Sequence, residues 1–311
     1  AANSSLGGYA RPTMPELAKI QNLTYFSDVS SCGTSTAISV PCMFSDLGRA
    51  GFSAGHAAAR DNLLDVLQHA GFEVVWFGNN SGCKGVCEKM GERRPDSEPD
   101  PALCRKGLPC FDEILLRDLE RELQKPAQRK VIVLHLIGSH GPGYHLRYPA
   151  AFERYTPACK QVDFSKCSVA EIVNSYDNTL LYTDHVLARA IDLLDTRSAS
   201  LHGALWYVSD HGESLGENGV FLHALPYAIA PDLQTHVPMV FWQGQGFAQR
   251  LGVDPSCVTA SRHRPISHDH WFHSVLGLLD VVTAARRPEL DVFGACRSEE
   301  HTSELQSRQY L

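Results

Sequence analysis

A hydroxyl-rich stretch beside two cysteines is the first place in this sequence where chemistry is expected. Residues 31–42 contain five serine or threonine hydroxyls together with Cys32 and Cys42. In an exported protein the two cysteines can close a disulfide, so that a Thr or Ser of the short loop projects from the first turn of the following helix. Free amide groups and the positive end of the helix dipole favour an alkoxide and a phosphate there. The alternative is that these hydroxyls only cap the helix, which is their common use.

Two further polar motifs follow predicted strands. The strands at 131–136 and 204–208 are each followed by a histidine beside a glycine, which frees the backbone to turn. The candidate ligands are His140, Asp210, His211 and, in the next glycine-rich loop, His223. A lone histidine is more often structural, but aspartate oxygen and histidine nitrogen are suited to zinc. Their convergence on strand ends predicts a metal site.

Alternating helices and strands must position these motifs. Periodicity, caps and breakers predict helices at 53–69, 112–124, 168–194 and 270–279, and strands at 72–77, 131–136, 204–208 and 237–242. Asp112 is predicted to cap the second helix, and Ser168 with Glu171 forms a capping box for the third. The alternation predicts an α/β fold with a mostly parallel central sheet and helices on both faces. In such sheets ligands bind at the carboxyl ends of the strands.

The cysteines indicate an oxidising compartment. Eight of the ten form pairs close in sequence, for which we expect the local disulfides Cys32–Cys42, Cys83–Cys87, Cys104–Cys110 and Cys159–Cys167. Zinc ribbons are the alternative, but they need four ligands in short knuckles, and such knuckles do not accompany these pairs. Cys257 and Cys296 remain as a fifth pair.

Composition limits the class of function. The 311 residues carry a net charge of -7 and no basic run, which argues against nucleic acid as a partner. There is no run of 18 apolar residues, so no membrane span is predicted in the sequence as given. The length suffices for one large α/β domain with a substantial core.

Five motifs occur together in one order, at residues 32–37, 40–45, 79–87, 138–142 and 209–219. In content and order they resemble the periplasmic catalytic domain of the lipid A phosphoethanolamine transferases, the group that includes the mobile colistin-resistance enzymes. The resemblance runs from Ala1 to about Cys296, so residues 1–296 are expected to form one catalytic domain. It implies an alkaline-phosphatase/sulfatase-like fold with zinc at the carboxyl edge of the sheet.

The resemblance also implies roles for individual residues. Thr36 matches the family's nucleophile, which also contacts the metal, and Asp210 and His211 match zinc ligands. A further zinc ligand, a glutamate, is expected on a strand upstream of Ala1. The residues that match those holding the phosphoethanolamine group are Asn80, Lys84, His140 and His223. In some members of the family the two histidines carry a second metal. Residues 267–273 match a late motif to which we assign a structural or sheet-edge role.

The implied activity is a two-step phosphoryl transfer. Thr36 attacks the phosphorus of phosphatidylethanolamine, diacylglycerol leaves, and the phosphothreonine delivers phosphoethanolamine to a lipid A phosphate. Such a transfer gives resistance to polymyxins such as colistin. The family is attached to the periplasmic face of the bacterial inner membrane through helices that would precede Ala1.

Other functions have to be weighed against this one. A sulfatase shares the fold but needs a Cys-x-Pro-x-Arg segment, which residues 42–46 do not supply. A phosphoethanolamine transferase for another glycan, or a phosphodiesterase of the same fold, would keep the same nucleophile and metal ligands. A secreted binding module held by disulfides belongs to a different class, and zinc content with turnover of a lipid analogue would distinguish it.

The last fifteen residues do not resemble the family. Residues 297–307 resemble the translation of a sequencing-library adapter. We therefore expect residues 297–311 to be a non-native tail and the domain to end near Cys296.

Overall fold

The computed structural model describes residues 3–94, 100–126 and 129–297. The predicted tail from Ser298 onward lies outside this part of the chain, so that interpretation stays a prediction. Arg297, the first residue of the predicted tail, is packed against the domain. It forms a bridge with Val253, and its Nη2 lies 3.4 Å from Oδ2 of Asp291. The packed domain therefore extends through Arg297.

Two three-stranded sheets form the centre of the fold. The strands are β1 Leu23–Phe26, β2 Val29–Ser30, β3 Glu73–Gly78, β4 Glu92–Arg93, β5 Lys130–His135, β6 Ala204–Val208, β7 Ser214–Leu215, β8 Phe221–Leu222, β9 Met239–Gln243 and β10 Ile266–Ser267. One sheet has the order β4-β3-β5 and the other β1-β9-β6, while β2 pairs with β10 and β7 with β8. The four long strands predicted from the sequence are all present, with ends shifted by at most two residues.

The direction of the strands differs between the two central sheets. β3 runs parallel to β4 and β5, as predicted, whereas β9 runs antiparallel to β1 and β6. The cause is the connection 209–238, because Val208 at the end of β6 pairs with Met239 at the start of β9. The chain therefore leaves and returns at the same end of the sheet. This keeps the loop that carries the candidate metal ligands at the carboxyl end of β6.

Ten helices surround the strands in the described residues. They are α1 Thr36–Met43, α2 Gly48–Gly51, α3 Ala54–Ala58, α4 Leu63–His69, α5 Ile114–Leu123, α6 Val169–Asp195, α7 Asp232–Thr235, α8 Gln245–Leu251, α9 Pro255–Ala260 and α10 Asp269–Leu278. Helix α6 has the predicted capping box of Ser168 and Glu171. None of these helices is both long and apolar enough to cross a membrane.

Two of the helix predictions were wrong in detail. Residues 53–69 form two helices, because the Asn62 side chain accepts the backbone N–H groups of Leu64 and Asp65 and so begins a second helix. Asp112 does not cap α5. Its carboxylate instead accepts the backbone N–H groups of Ile137 and Gly138, which fixes the turn after β5.

Helices cover both faces of the sheet β4-β3-β5, as predicted. Trp76 and Val133 lie on the face that packs against α1, α4 and α10. Phe77 and Leu134, one residue further along their strands, lie on the opposite face and pack against α5. The nucleophile candidate is therefore on a helix that packs directly on the sheet.

A cavity of about 1150 Å³ separates the two central sheets. Every residue of β5 and β6 lines it, and neither strand has a second neighbour among the described residues. All residues of these two strands are only half-buried, whereas every residue of β9 is buried. Trp76, Trp206 and His135 are also among the lining residues, and their indole nitrogens and Nδ1 are shielded from solvent without a hydrogen-bond partner in the described chain. The cavity thus presents two open strand edges.

All ten cysteines are paired. The structure contains the four local disulfides and the fifth pair expected from the sequence, Cys32–Cys42, Cys83–Cys87, Cys104–Cys110, Cys159–Cys167 and Cys257–Cys296. The first of them ties the loop before α1 to the last turn of that helix. The hydroxyl-rich loop is therefore closed by a covalent link.

Candidate active site

Helix α1 begins at Thr36, and capping does not account for its hydroxyls. Ser35 occupies the N-cap position, but its side chain makes no capping hydrogen bond. Thr36 is buried, and its Oγ1 lies 3.3 Å from Nε2 of His211. The hydroxyl that meets a predicted metal ligand is therefore that of Thr36.

Two other hydroxyls of the stretch have structural partners. Thr34 Oγ1 donates to the carbonyl of Leu225 at 2.6 Å and anchors the loop to the segment after the candidate ligands. Ser39 Oγ donates to the carbonyl of Asp210 and so ties α1 to the end of β6. Because each hydroxyl already donates its one proton to a carbonyl, neither is prepared to act as a nucleophile.

His211 presents one ring nitrogen to Thr36. Its Nδ1 lies 3.0 Å from the carbonyl of Gly212, an acceptor, so Nδ1 carries the proton and Nε2 is left as the electron-pair donor. That Nε2 lies 3.7 Å from Oδ2 of Asp210. A side chain at Gly212 would collide with the carbonyl oxygen of Leu233, so the turn after Asp210 requires glycine. The structure thus brings Thr36, Asp210 and His211 together, and the metal-binding role that the resemblance implies for them stays a prediction.

The chemistry of these three residues fits a metal ion. Oδ2 of Asp210 is shielded from solvent and has no hydrogen-bond partner in the described residues. Burial acts to raise the pKa of Asp210, but the neighbouring His211 and a hydrogen bond with Thr36 outweigh it, and the pKa lies below its ordinary value. A carboxylate oxygen that is shielded from solvent and has no hydrogen-bond partner is costly unless a cation offsets its charge. Carboxylate and hydroxyl oxygens with an imidazole nitrogen form a ligand set that zinc accepts.

His140, His211 and His223 form a second candidate cluster. Their ligand nitrogens all lie within 4.8 Å of one another. The ring centroids of His211 and His223 are 4.4 Å apart, and those of His140 and His223 are 4.8 Å apart. Burial and the neighbouring His223 lower the pKa of His140, which favours the neutral ring that binds metals. The structure brings together the three histidines whose convergence the sequence predicted.

Glu213 supports this cluster and was missed by the sequence reasoning. Its Oε1 lies 2.9 Å from Nδ1 of His223 and accepts the backbone N–H of Gly141, while Oε2 accepts the Tyr144 hydroxyl at 3.1 Å. The hydrogen bond with Glu213 raises the pKa of His223. It also fixes the ring, leaving Nε2 for a ligand. The available signal was a second carboxylate three residues after Asp210.

Replacing Glu213 by glutamine is expected to lower the pKa of His223 and to weaken the cluster. The substitution removes the negative charge and replaces one of the two carboxylate oxygens by an amide NH2 group, and losing such support for a metal-binding histidine typically costs about 10–100-fold in metal affinity or activity. NMR titration of His223 in the metal-free protein measures the first effect. Glu217→Gln is the matched control, because Glu217 accepts only the backbone N–H of Leu215 among its described bonds. An unchanged pKa of His223 in Glu213→Gln would contradict the assignment.

Asn80 and Lys84 are less closely connected to the cluster. The Asn80 amide donates to the carbonyl of Leu136 at 3.0 Å and lines the central cavity. The Lys84 ammonium is exposed and donates to the Ser81 carbonyl at 2.6 Å. In the described part of the chain neither side chain bonds to Thr36 or to the histidines. Their predicted role in holding phosphoethanolamine stays a prediction.

Comparison with known proteins defines the class. The sequence profile of the sulfatase family matches residues 1–281, and the chain belongs to that family. Phosphoethanolamine transferase EptA of Salmonella typhimurium is 45% identical over 294 residues, which is 94% of this chain and 53% of that protein. Phosphatidylethanolamine transferase Mcr-1 of Escherichia coli is 40% identical over 283 residues, covering 89% of this chain and 51% of that protein. The chain thus spans about half the length of these relatives.

A solved structure supports the same grouping. The soluble domain of lipooligosaccharide phosphoethanolamine transferase A from Neisseria meningitidis matches with a TM-score of 0.92 and 47% sequence identity, over 96% of this chain and 89% of that chain. The expected α/β fold of the alkaline-phosphatase/sulfatase type is confirmed, as is the resemblance to the phosphoethanolamine transferases.

Proposed function

We propose that this chain is the catalytic domain of a zinc-dependent transferase that moves phosphoethanolamine from phosphatidylethanolamine to a lipid A phosphate. The reaction takes place at the periplasmic face of the bacterial inner membrane and gives resistance to polymyxins such as colistin. The names of the relatives support the transferred group, the lipid donor and a lipooligosaccharide acceptor. The observation that carries the proposal is the Thr36 hydroxyl, 3.3 Å from Nε2 of His211 and near Asp210, whose Oδ2 has no described hydrogen-bond partner.

Thr36, Asp210 and His211 would hold the metal, with the glutamate that the resemblance expects upstream of Ala1 as a further ligand. A zinc ion there lowers the pKa of a bound hydroxyl and offsets negative charge on the phosphoryl group. Thr36 is also the first residue of α1, so a phosphate on its oxygen lies near the positive end of the helix dipole.

In the first step the Thr36 hydroxyl gives up its proton to solvent, its oxygen forms a bond to phosphorus, and the bond from phosphorus to the glycerol oxygen breaks. Diacylglycerol leaves after taking up a proton. His223 is suited to supply that proton, because its hydrogen bond with Glu213 raises its pKa. Asn80, Lys84 and His140 hold the phosphoethanolamine group while charge develops on it.

In the second step an oxygen of the lipid A phosphate attacks the phosphothreonine. A bond from that oxygen to phosphorus forms, the bond from Thr36 to phosphorus breaks, and the Thr36 oxygen takes up a proton from solvent, which restores the hydroxyl. Water has to be a poor competitor at this stage, since otherwise the domain would act as a phosphodiesterase. A phosphate on another glycan would use the same residues, so the acceptor is decided by experiment.

Mass spectrometry of lipid A tests this function most broadly. Cells that express the full-length protein should add phosphoethanolamine to lipid A, and the purified protein should contain zinc. Asp210→Asn, expressed at the same level as the wild type, should lose both the modification of lipid A and the bound zinc. Asp195→Asn, a change at an exposed position at the end of α6, should behave as the wild type. Finding phosphoethanolamine on another glycan instead would contradict the proposal that lipid A is the acceptor. A protein that contains no zinc and shows no turnover would contradict the proposed transferase activity and favour a binding module.

A further inference from the structure

His268 lies between α1 and the end of β6, close to the residues that would hold the metal. Its side chain is buried, with an exposed fraction of 1%. Nδ1 accepts the backbone N–H of Cys32 at 3.1 Å, and Nε2 lies 3.1 Å from the carbonyl of Ser209. One imidazole thus bridges the disulfide loop that leads into α1 and the residue directly before Asp210.

The two partners determine the tautomer of His268. The Cys32 amide can only donate, and the Ser209 carbonyl can only accept, so Nδ1 is unprotonated and Nε2 carries the hydrogen. Burial lowers the pKa of His268 to about 4, in agreement with a neutral ring at pH 7. Protonation or reversal of the ring would place an N–H group against the Cys32 amide and break the bridge.

Ser39 adds a second link between the same two segments. Its hydroxyl donates to the carbonyl of Asp210 and lies 3.2 Å from Nδ1 of His268. The helix that carries Thr36 and the strand end that carries Asp210 are therefore held together by a small buried polar network. Such a network fixes one relative position of the two segments because each of its members has a partner.

We propose that His268 is a positioning residue for the transfer reaction, whose neutral imidazole holds the Thr36 hydroxyl at its distance from Asp210 and His211. This inference rests on the proposed function of Thr36. His268 has no contact with the Thr36 side chain among the described hydrogen bonds, so it acts through the Cys32 amide and the Ser209 carbonyl. A displacement of about 1 Å at a reacting group costs about 100-fold in rate.

Three variants of the full-length enzyme separate the two bonds of the bridge. His268→Phe keeps an aromatic ring but removes both bonds, and we expect kcat to fall about 100-fold with KM nearly unchanged. His268→Asn retains an acceptor near the Nδ1 position and His268→Gln a donor near the Nε2 position, so each should restore part of kcat. Zinc affinity, measured by competition with a chelator, should likewise be weakest for His268→Phe and intermediate for His268→Asn and His268→Gln.

His273→Gln is the matched control for burial and stability. His273 lies on α10 and is also fully buried. Burial lowers its pKa to about 4, as for His268, and it accepts the backbone N–H of Arg287 away from the candidate ligands. This variant should lower the unfolding midpoint and leave kcat of the folded protein unchanged within about twofold, which is small beside the effect expected at His268.

The proposal is wrong if the His268 variants lose activity only in proportion to their unfolded fraction. That is the behaviour expected of the control His273→Gln. It is also wrong if zinc affinity in all three equals that of the wild type. A wild-type enzyme that transfers no phosphoethanolamine would instead contradict the proposed function. Zinc affinity would still decide the role of His268 in that case.

Discussion

Replacing Thr36 by alanine is expected to abolish transfer of phosphoethanolamine while leaving the fold intact. The Thr36 hydroxyl is the one that faces His211, whereas the hydroxyls of Thr34 and Ser39 already donate to carbonyl groups. Removing a nucleophile removes the covalent route, so kcat should fall by at least about 10³-fold. Turnover of a phosphoethanolamine lipid analogue, measured beside the unfolding midpoint, checks both parts of the prediction.

Two neighbouring substitutions serve as controls. Ser35→Ala removes the adjacent hydroxyl, which makes no capping hydrogen bond, and should retain most of the activity. Thr36→Ser keeps an oxygen at the same position and should retain measurable turnover. Full activity in Thr36→Ala, or a larger loss in Ser35→Ala than in Thr36→Ala, would show that the nucleophile has been misassigned.

Extending the chain upstream by the strand that the resemblance expects should increase both zinc affinity and stability. The cavity between β5 and β6 offers two open strand edges, which an additional central strand would pair. The same strand would bring a glutamate to the carboxyl end of the sheet, where Oδ2 of Asp210 has no described partner. One further charged ligand in a tetrahedral site should tighten zinc binding by about 100-fold or more.

The measurement compares two chains that both end at Arg297, one as given and one with the upstream strand. Zinc affinity, analogue turnover and the unfolding midpoint should all be higher for the extended chain. A third chain, with glutamine in place of the upstream glutamate, should keep the gain in stability and lose most of the gain in zinc affinity. Equal values for the chain as given and the extended chain would contradict both the strand and its glutamate ligand.

Much of the fold was predictable because its signals are local. The capping box of Ser168 and Glu171 begins the long helix α6, and apolar runs mark the central strands. The direction of β9 was not predictable in the same way, since it depends on where the connection 209–238 returns to the sheet. The carboxylate of Asp112 resembled a helix cap in sequence but bonds to amides after β5, a contact that only the tertiary structure creates.

The candidate site was predictable where residues of distinctive chemistry follow strands. Asp210, His211, His140 and His223 were identified in that way, whereas Thr36 was singled out among the loop hydroxyls only by the family resemblance; the fold brings all five together. The supporting residues were harder to recognise, because their role depends on contacts across the fold. Glu213 acts on a histidine ten positions later, and His268 joins two segments that both lie more than fifty residues before it in the sequence.

Trapping the covalent intermediate tests the central claim most directly. The full-length protein is incubated with a phosphoethanolamine lipid donor without acceptor, quenched in acid, digested and analysed by mass spectrometry. We expect a phosphoethanolamine adduct on Thr36 in the wild type and none in Thr36→Ala. An adduct on Thr34 or Ser35, or transfer to lipid A by a protein that carries no adduct on Thr36, would contradict the account.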